Sequence, residues 1–258
     1  MGLVPTMGFL HAGHLALVED ARRRCDRVAV SLFVNPTQFG PHEDYARYPR
    51  DPRRDRQLLK DAGVDLLFGP AREEMYPPGT ETVVDVGSVA EPLEGERRPG
   101  HFRGVATVVA KLLAIVQPDR AWFGQKDAQQ LAVIRRLVAD LNLPVEVVSH
   151  PIVREADGLA LSSRNAYLSP AEREAATVLF RALGAAAAAW RGGERRGDAL
   201  CRIMREILDA EPLARTDYAS AADPETFREV EEARGPVHLL LAVYLGKTRL
   251  IDNQLLEP

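Results

Sequence analysis

The run "RVAVSLFV", Arg27–Val34, constrains the fold more than any other stretch. It is almost unbroken apolar sequence rich in valine, as expected of a strand covered on both faces. Short runs of this kind alternate with helical patterns through the first half. "LVPTM" reads as the end of a first strand and "HLALVEDARRRC" as the helix after it. "DPRRDRQLLKDAG" is a helix stopped by Gly63, and "VDLLFG" and "ETVVDV" read as short strands. The polar stretch "EGERRPGHFRG" then leads into the helix "VATVVAKLLAIV". "RAWFG" is a further core strand, "DAQQLAVIRRLVADLN" a helix, and "VEVVSHPIV" the last strand of this half. Strands alternating with helices predict parallel βαβ units in a doubly wound sheet. Ligands of such sheets collect where strand ends enter helices.

The pattern changes near Val153. "READGLALSSRNAYL" is a polar loop, and "SPAEREAATVLFRALGAAAAAW" reads as one long helix. Ser169 is its predicted N-cap, with Pro170 at the first position and Glu172 completing a capping box. A second helix, "DALCRIMREILDAEP", precedes three strand-like runs, "TDYASAA", "VHLLLAVYLG" and "TRLIDNQ". Helices followed by strands suggest an α+β domain. The expected division is a doubly wound α/β domain over residues 1–153 and a smaller α+β lid over 154–258.

The bulk properties exclude several classes. The chain has 258 residues, 46% of them hydrophobic, and a formal net charge of −4, so no global basic field suits nucleic acid. No apolar run is long enough for a membrane span. Cys25 and Cys201 lack metal-ligand spacing and point to a reducing compartment without a disulfide framework. The expected location is the cytoplasm.

Several clusters carry chemistry. In "PTMGFLHAGHLAL", His11 and His14 lie one turn apart at a helix start. They read either as a cap with a solvent-facing neighbour or, with the helix N–H groups, as a phosphate site. In "WFGQKD", Lys126 sits at a strand's carboxyl end, as a phosphate ligand or as a surface lysine in a turn. Asp127 reads as the cap of the next helix, and Gln130 in its first turn can meet a polar substrate. "LALSSRN" offers Ser162, Ser163 and Arg164 as phosphate donors in a movable segment, or as a hinge loop. "FVNPTQF" brings Asn35, Pro36 and Gln38 to a strand end. Arg97, Arg98, His101 and Arg103 of "RRPGHFRG" form either an anion site or a solvated loop.

Together, "PTMGFLHAGH", "FVNPTQFG", "YPRD", "RPGHFRGV", "FGQKDAQQ", "VREADGLALSSRN" and "TRLIDN" resemble the pantothenate synthetases, the pantoate–β-alanine ligases. The H-x-G-H element alone is shared by many nucleotidylyltransferases and class I aminoacyl-tRNA synthetases; the ordered set, from Gly2 to about Asn253, is far more specific. The resemblance implies a Rossmann-like nucleotide-binding domain of the HxGH type with a smaller C-terminal lid, usually in a homodimer. It implies activation of (R)-pantoate by ATP as an acyl adenylate with release of pyrophosphate. The amine of β-alanine then attacks, giving pantothenate and AMP.

The matching motifs imply an ATP site of Met7, Gly8, Phe9, Leu10, His11, Ala12, Gly13 and His14, then Gly124, Gln125, Lys126 and Asp127. Val153, Leu161, Ser162, Ser163 and Arg164 complete it. His14 corresponds to the family's catalytic histidine, written as a proton donor, with His11, Lys126 and Arg164 assisting at the phosphates. Gln38 and Gln130 would hold pantoate, and Gln38 would touch β-alanine as well. ATP enters as a substrate, and magnesium is expected mainly on the nucleotide phosphates rather than on a protein metal site.

There are departures from the family pattern. Gln125 stands where glutamate is frequent, Leu161 where methionine is, and Ala128 where an aromatic residue is. Members usually carry a helix-bearing segment ahead of "GLVPTMG". The competing readings are a related transferase acting on a phosphate ester and a nucleotide-binding regulator with an inactive site. The second would have lost His14, Lys126 or Arg164, and all three are present.

Overall fold

The computed structural model describes residues 1–258, which divide into two compact units, Met1–Val153 and Arg154–Pro258. The first holds five parallel strands in the order β3-β2-β1-β4-β5. These are β1 (Gly2–Thr6), β2 (Val28–Leu32), β3 (Leu66–Phe68), β4 (Arg120–Gly124) and β5 (Glu146–His150). The helices between them are α1 (Ala12–Arg24), α2 (Pro52–Asp61), α3 (Arg72–Met75), α4 (Glu94–Arg97), α5 (His101–Val116) and α6 (Ala128–Asp140).

Side-chain alternation along the strands supplies two cores, one on each face of the sheet. Val4, Val28, Val30 and Trp122 pack with Leu17, Val18 and Ala21 of α1 and Leu59 of α2. Leu3, Ala29, Ala121 and Phe123 point the other way, onto Val105, Val109 and Leu112 of α5 and Leu131 and Ile134 of α6. Burial on both faces is why these strands read as continuous apolar runs. The indole N–H of Trp122 donates to Asp20 Oδ2 at 2.8 Å, so the largest core side chain keeps its polar atom satisfied.

Three expectations are corrected by the structure. "ETVVDV" forms no strand. Val84 and Val86 pack against the α5–α6 core instead, and the Val84 N–H donates to Thr107 Oγ1 on α5 at 2.9 Å. Its period-2 pattern is satisfied by a helix rather than by a ladder. The stretch before "VATVVAKLLAIV" is helical already, with α4 inside it and α5 starting at His101. The long helix after Ser169 is two, α7 (Pro170–Ala175) and α8 (Val178–Arg191). At the break the Thr177 hydroxyl donates to the Glu174 carbonyl at 2.9 Å, the local side-chain competition that weakens a helix.

In the second unit, α9 (Gly197–Asp209) joins α8 against an antiparallel sheet of β6 (Ala214–Ala222), β7 (Val237–Leu245) and β8 (Thr248–Leu256). Leu179, Leu183, Leu200, Met204, Leu239 and Leu241 fill its core. The Ser169 side chain and Glu172 form the expected capping box. No helix is long and apolar enough to cross a membrane.

Candidate active site

The strand order reverses direction between β1 and β4, so the loops leaving these two neighbours flank the crevice where a doubly wound sheet binds ligands. "TMGFLHAGH" leaves β1 and "GQKD" leaves β4.

The first loop is built by hydrogen bonds of specified direction. The Thr6 hydroxyl donates to the Ser31 carbonyl at 2.8 Å and accepts from the Gly8 N–H at 3.2 Å. Gly8 has φ +83° and Phe9 φ +50°, two left-handed residues in succession. For Phe9 that conformation is costly and must be held from outside. Asp55 of α2 holds it: its Oδ2 accepts from the Phe9 N–H at 2.7 Å and its Oδ1 from the Leu10 N–H at 2.8 Å. Asp55 is 2% exposed, and both carboxylate oxygens are engaged with backbone. It is therefore a latch for the histidine loop.

His11 is the N-cap of α1, its Nδ1 accepting from the Gly13 N–H at 3.1 Å. His14 closes the box, its Nδ1 accepting from the His11 N–H at 3.3 Å. The two rings lie 4.0 Å apart between centroids. An imidazole that accepts at Nδ1 carries its proton at Nε2 when neutral. Burial, with the Lys126 cation adding to it, pulls His11 down to about 4. Burial, then His11 and Lys126, hold His14 well below its ordinary value. Both histidines are thus neutral at pH 7, each with a donor N–H at Nε2. Capping engages Nδ1 of each ring and leaves the Nε2 side of the same rings for other contacts.

Gln125, Lys126 and Asp127 form a single 3-10 turn after β4. Asp127 occupies the N-cap position of α6 without a side-chain cap bond, contrary to the expected cap. Its carboxylate lies 3.8 Å from Lys126 Nζ. Gln129 is buried and bonds the carbonyls of Val89 and Pro92 and the N–H of Glu94, a packing role that leaves Gln130 as the half-buried glutamine of this turn.

Gln38 ends the turn Pro36–Gln38 after β2 and is 8% exposed. Its Nε2 donates to Met7 Sδ of the histidine loop at 3.2 Å, and its Oε1 accepts from Asn35 Nδ2 at 3.0 Å. In the basic cluster, read as an anion site or a solvated loop, Arg98, His101 and Arg103 are paired within the protein. Arg98 bonds both Glu43 oxygens, at 2.9 and 2.6 Å, and His101 Nε2 at 3.0 Å. Arg103 pairs with Asp85 at 2.9 Å. His101 Nδ1 lies 2.9 Å from the Gln38 carbonyl, so it donates there. Sequence reasoning missed this carbonyl clamp and the Asp55 latch, since neither partner lies near its target in the chain.

Leu161, Ser162, Ser163 and Arg164 belong to the second unit, and Val153 is the last residue of the first. Ser162 caps the short turn Ser163–Tyr167, accepting from the Arg164 N–H at 3.3 Å. No group of three or more His, Cys, Asp or Glu is arranged to hold a metal ion.

Comparison with known proteins accords with this architecture. The family model for pantoate–β-alanine ligase matches residues 1–255. A pantothenate synthetase of Roseiflexus sp. (strain RS-1) is 62% identical over 256 residues, covering 99% of this chain and 92% of its own. The one from Heliobacterium modesticaldum is 60% identical over 257 residues, covering 100% and 92%. Among solved structures, a pantothenate synthetase of Thermus thermophilus superposes with a TM-score of 0.96 at 55% identity, covering 100% of this chain and 93% of that one. The pantoate–β-alanine ligase of Francisella tularensis, solved with β,γ-ATP and β-alanine, gives a TM-score of 0.81 at 36% identity, covering 98% and 88%. The chain belongs to the pantoate–β-alanine ligase family and is a ligase of pantothenate biosynthesis.

Proposed function

We propose that the protein condenses (R)-pantoate with β-alanine in two steps through a pantoyl adenylate. The observation that carries this reading is the pair of neutral histidines capping α1, with Nε2–H donors beside the lysine of the neighbouring strand end. In the first step a pantoate carboxylate oxygen attacks the α-phosphorus of ATP, and the bond to the bridging oxygen of pyrophosphate breaks. Negative charge grows on the α-phosphate and on the leaving group. Fixed N–H donors and a cation placed where charge develops lower this barrier without reorganising.

His14 and Lys126 serve the α-phosphate, and His11 assists. The α1 N-terminus adds its unpaired N–H groups and partial positive charge. Met7 to Gly13, Gly124 to Asp127 and Val153 make up the rest of the nucleotide site in the first unit. In the second unit, Leu161 precedes Ser162, Ser163 and Arg164, donors suited to phosphate oxygens. His14 presents its Nε2–H to the charge that grows on the α-phosphate.

In the second step the neutral amine of β-alanine attacks the acyl carbon. The bond from that carbon to the phosphate oxygen breaks, AMP leaves carrying the oxygen, and the proton shed by the nitrogen passes to a local acceptor or to the released phosphate. Gln38 and Gln130 bind pantoate, and Gln38 also meets β-alanine. Magnesium is taken mainly as an ion carried by the nucleotide phosphates. It would supply charge neutralisation on the phosphates. We assign the cytoplasm as location and a homodimer as the working state.

The test is incubation with Mg-ATP and (R)-pantoate, with and without β-alanine, while AMP and pantothenate are measured. Both rise together, and only with both substrates, if the reading is right. ATP turnover without pantothenate would direct attention to the transferases that act on phosphate esters. Lys126→Ala should slow adenylation more than it weakens β-alanine use, and equal loss in both steps would remove the α-phosphate role.

A further inference from the structure

We propose that Gln38 meets the substrate only as a hydrogen-bond donor, through Nε2, and that Asn35 and His101 are positioning residues that fix it so. The proposal rests on the assignment of Gln38 to pantoate, and it specifies which atoms of pantoate that glutamine can read.

An amide side chain can usually turn over and exchange its donor for its acceptor. At Gln38 it cannot, because the orientation is set by groups that have no choice. The Thr37 backbone N–H can only donate, and it points at Asn35 Oδ1 at 3.3 Å. The Tyr76 hydroxyl and the Thr37 hydroxyl donate to the same oxygen, both at 2.9 Å. On the other side, the Gly104 carbonyl can only accept, and it takes Asn35 Nδ2 at 3.1 Å. Asn35 is 1% exposed, so reversing its amide would face donor against donor and acceptor against acceptor without water to intervene. The second Nδ2 hydrogen therefore points at Gln38, whose Oε1 receives it at 3.0 Å. That fixes Gln38 with Oε1 inward and its NH₂ group toward the histidine loop.

The backbone of Gln38 is held as firmly. Its carbonyl accepts from His101 Nδ1 at 2.9 Å, with Arg98 Nη2 at 3.4 Å. His101 takes that tautomer because Arg98 donates to its Nε2, and Arg98 is anchored by Glu43. Gly104 permits the approach: a Cβ there would stand 2.3 Å from the Thr37 carbonyl oxygen.

The donor end of Gln38 meets only a thioether, Met7 Sδ at 3.2 Å, which is a weak acceptor. An oxygen of pantoate, carboxylate or hydroxyl, is a better one and replaces it. The site thus reads acceptor oxygens at this point and discriminates against a group that can only donate.

The experiment compares Gln38→Glu and Gln38→Met, with Asn35→Asp and Asn35→Ala as a second pair. KM is measured for pantoate, β-alanine and ATP. In Gln38→Glu the new carboxylate would take the Asn35 bond with one oxygen and turn the other, charged, toward pantoate. The pantoate KM of this variant should rise on the order of a hundredfold and exceed that of Gln38→Met, with the ATP KM within about threefold. Asn35→Asp, which can offer Gln38 only an acceptor, should turn the glutamine amide over and raise pantoate KM more than Asn35→Ala does. A merely structural role for Asn35 predicts the reverse order. Retention of wild-type pantoate KM by Gln38→Glu would overturn the proposal by showing that Gln38 accepts from the substrate. A wild-type protein that makes no pantothenate would instead remove the reading of function on which it rests.

Discussion

Two corners of the first unit look alike as sequence and differ as chemistry. "HAGH" and "RPGHFRG" each set histidine and glycine at the start of a helix. At the first, each imidazole commits Nδ1 to the backbone of its own helix cap and retains Nε2–H as a donor. At the second, His101 uses both nitrogens inside the protein, and Arg98 and Arg103 are matched by Glu43 and Asp85. The difference teaches that the kind of residue does not mark a site. What marks it is whether hydrogen-bonding capacity remains after the fold has taken its share.

The comparison breaks most visibly at His14. His14→Ala removes a donor from the first corner and should slow pantoyl adenylate formation by about 10²–10³. Normal turnover in that variant, measured by rapid-quench AMP formation, would end its catalytic assignment.

Asp55→Asn tests how the first corner is held. The amide accepts only one of the two loop N–H groups and sets its own NH₂ against the other. A loss of about 2 kcal/mol in stability and a weaker ATP KM are expected. A chemical denaturation curve unchanged from wild type would show that the Phe9 turn holds without its latch.

Titration sharpens the contrast from another side, since burial depresses the histidines of both corners. His11 and His101 are each lowered to about 4. As pH falls below about 6.5 the unfolded chain takes up these protons first, because the folded pKa values are lower. Their contribution to stability is present above about 6.5 and is lost progressively toward about 4. The thermal midpoint should drop across that window, and histidine NMR resonances should place both groups near the lower end of it. An imidazole titrating at about 6.5, the ordinary value, at either position would contradict the burial account.

The smallest effect is predicted at Arg103. Its ion pair with Asp85 is more than half exposed on both sides, so Arg103→Ala should change stability by less than about 1 kcal/mol. Pantoate and ATP kinetics should stay as in wild type. A marked rise in pantoate KM would restore an anion-binding role to the second corner.

Much of this was legible in the chain because local rules carried it. The buried parallel strands showed as apolar runs, and the cap at Ser169 showed as a capping box. The histidine pair showed by its spacing and position. The misreadings share one physical cause, which is a partner outside the expected pattern replacing the expected one. Val84 and Val86 pack on α5 rather than in a sheet, and Thr177 bonds back to Glu174 inside what reads as one helix. Asp55 and His101 lie 45 and 63 residues from the backbone groups they hold, and no short-range pattern encodes such a contact.

The most direct test of the central claim follows an oxygen atom. Pantoate labelled with ¹⁸O in its carboxylate is turned over with Mg-ATP and β-alanine, and the AMP is analysed by mass spectrometry. Attack of the carboxylate on the α-phosphorus predicts one ¹⁸O in each AMP. AMP without label would contradict an acyl adenylate, and with it the role of the two histidines at the α-phosphate.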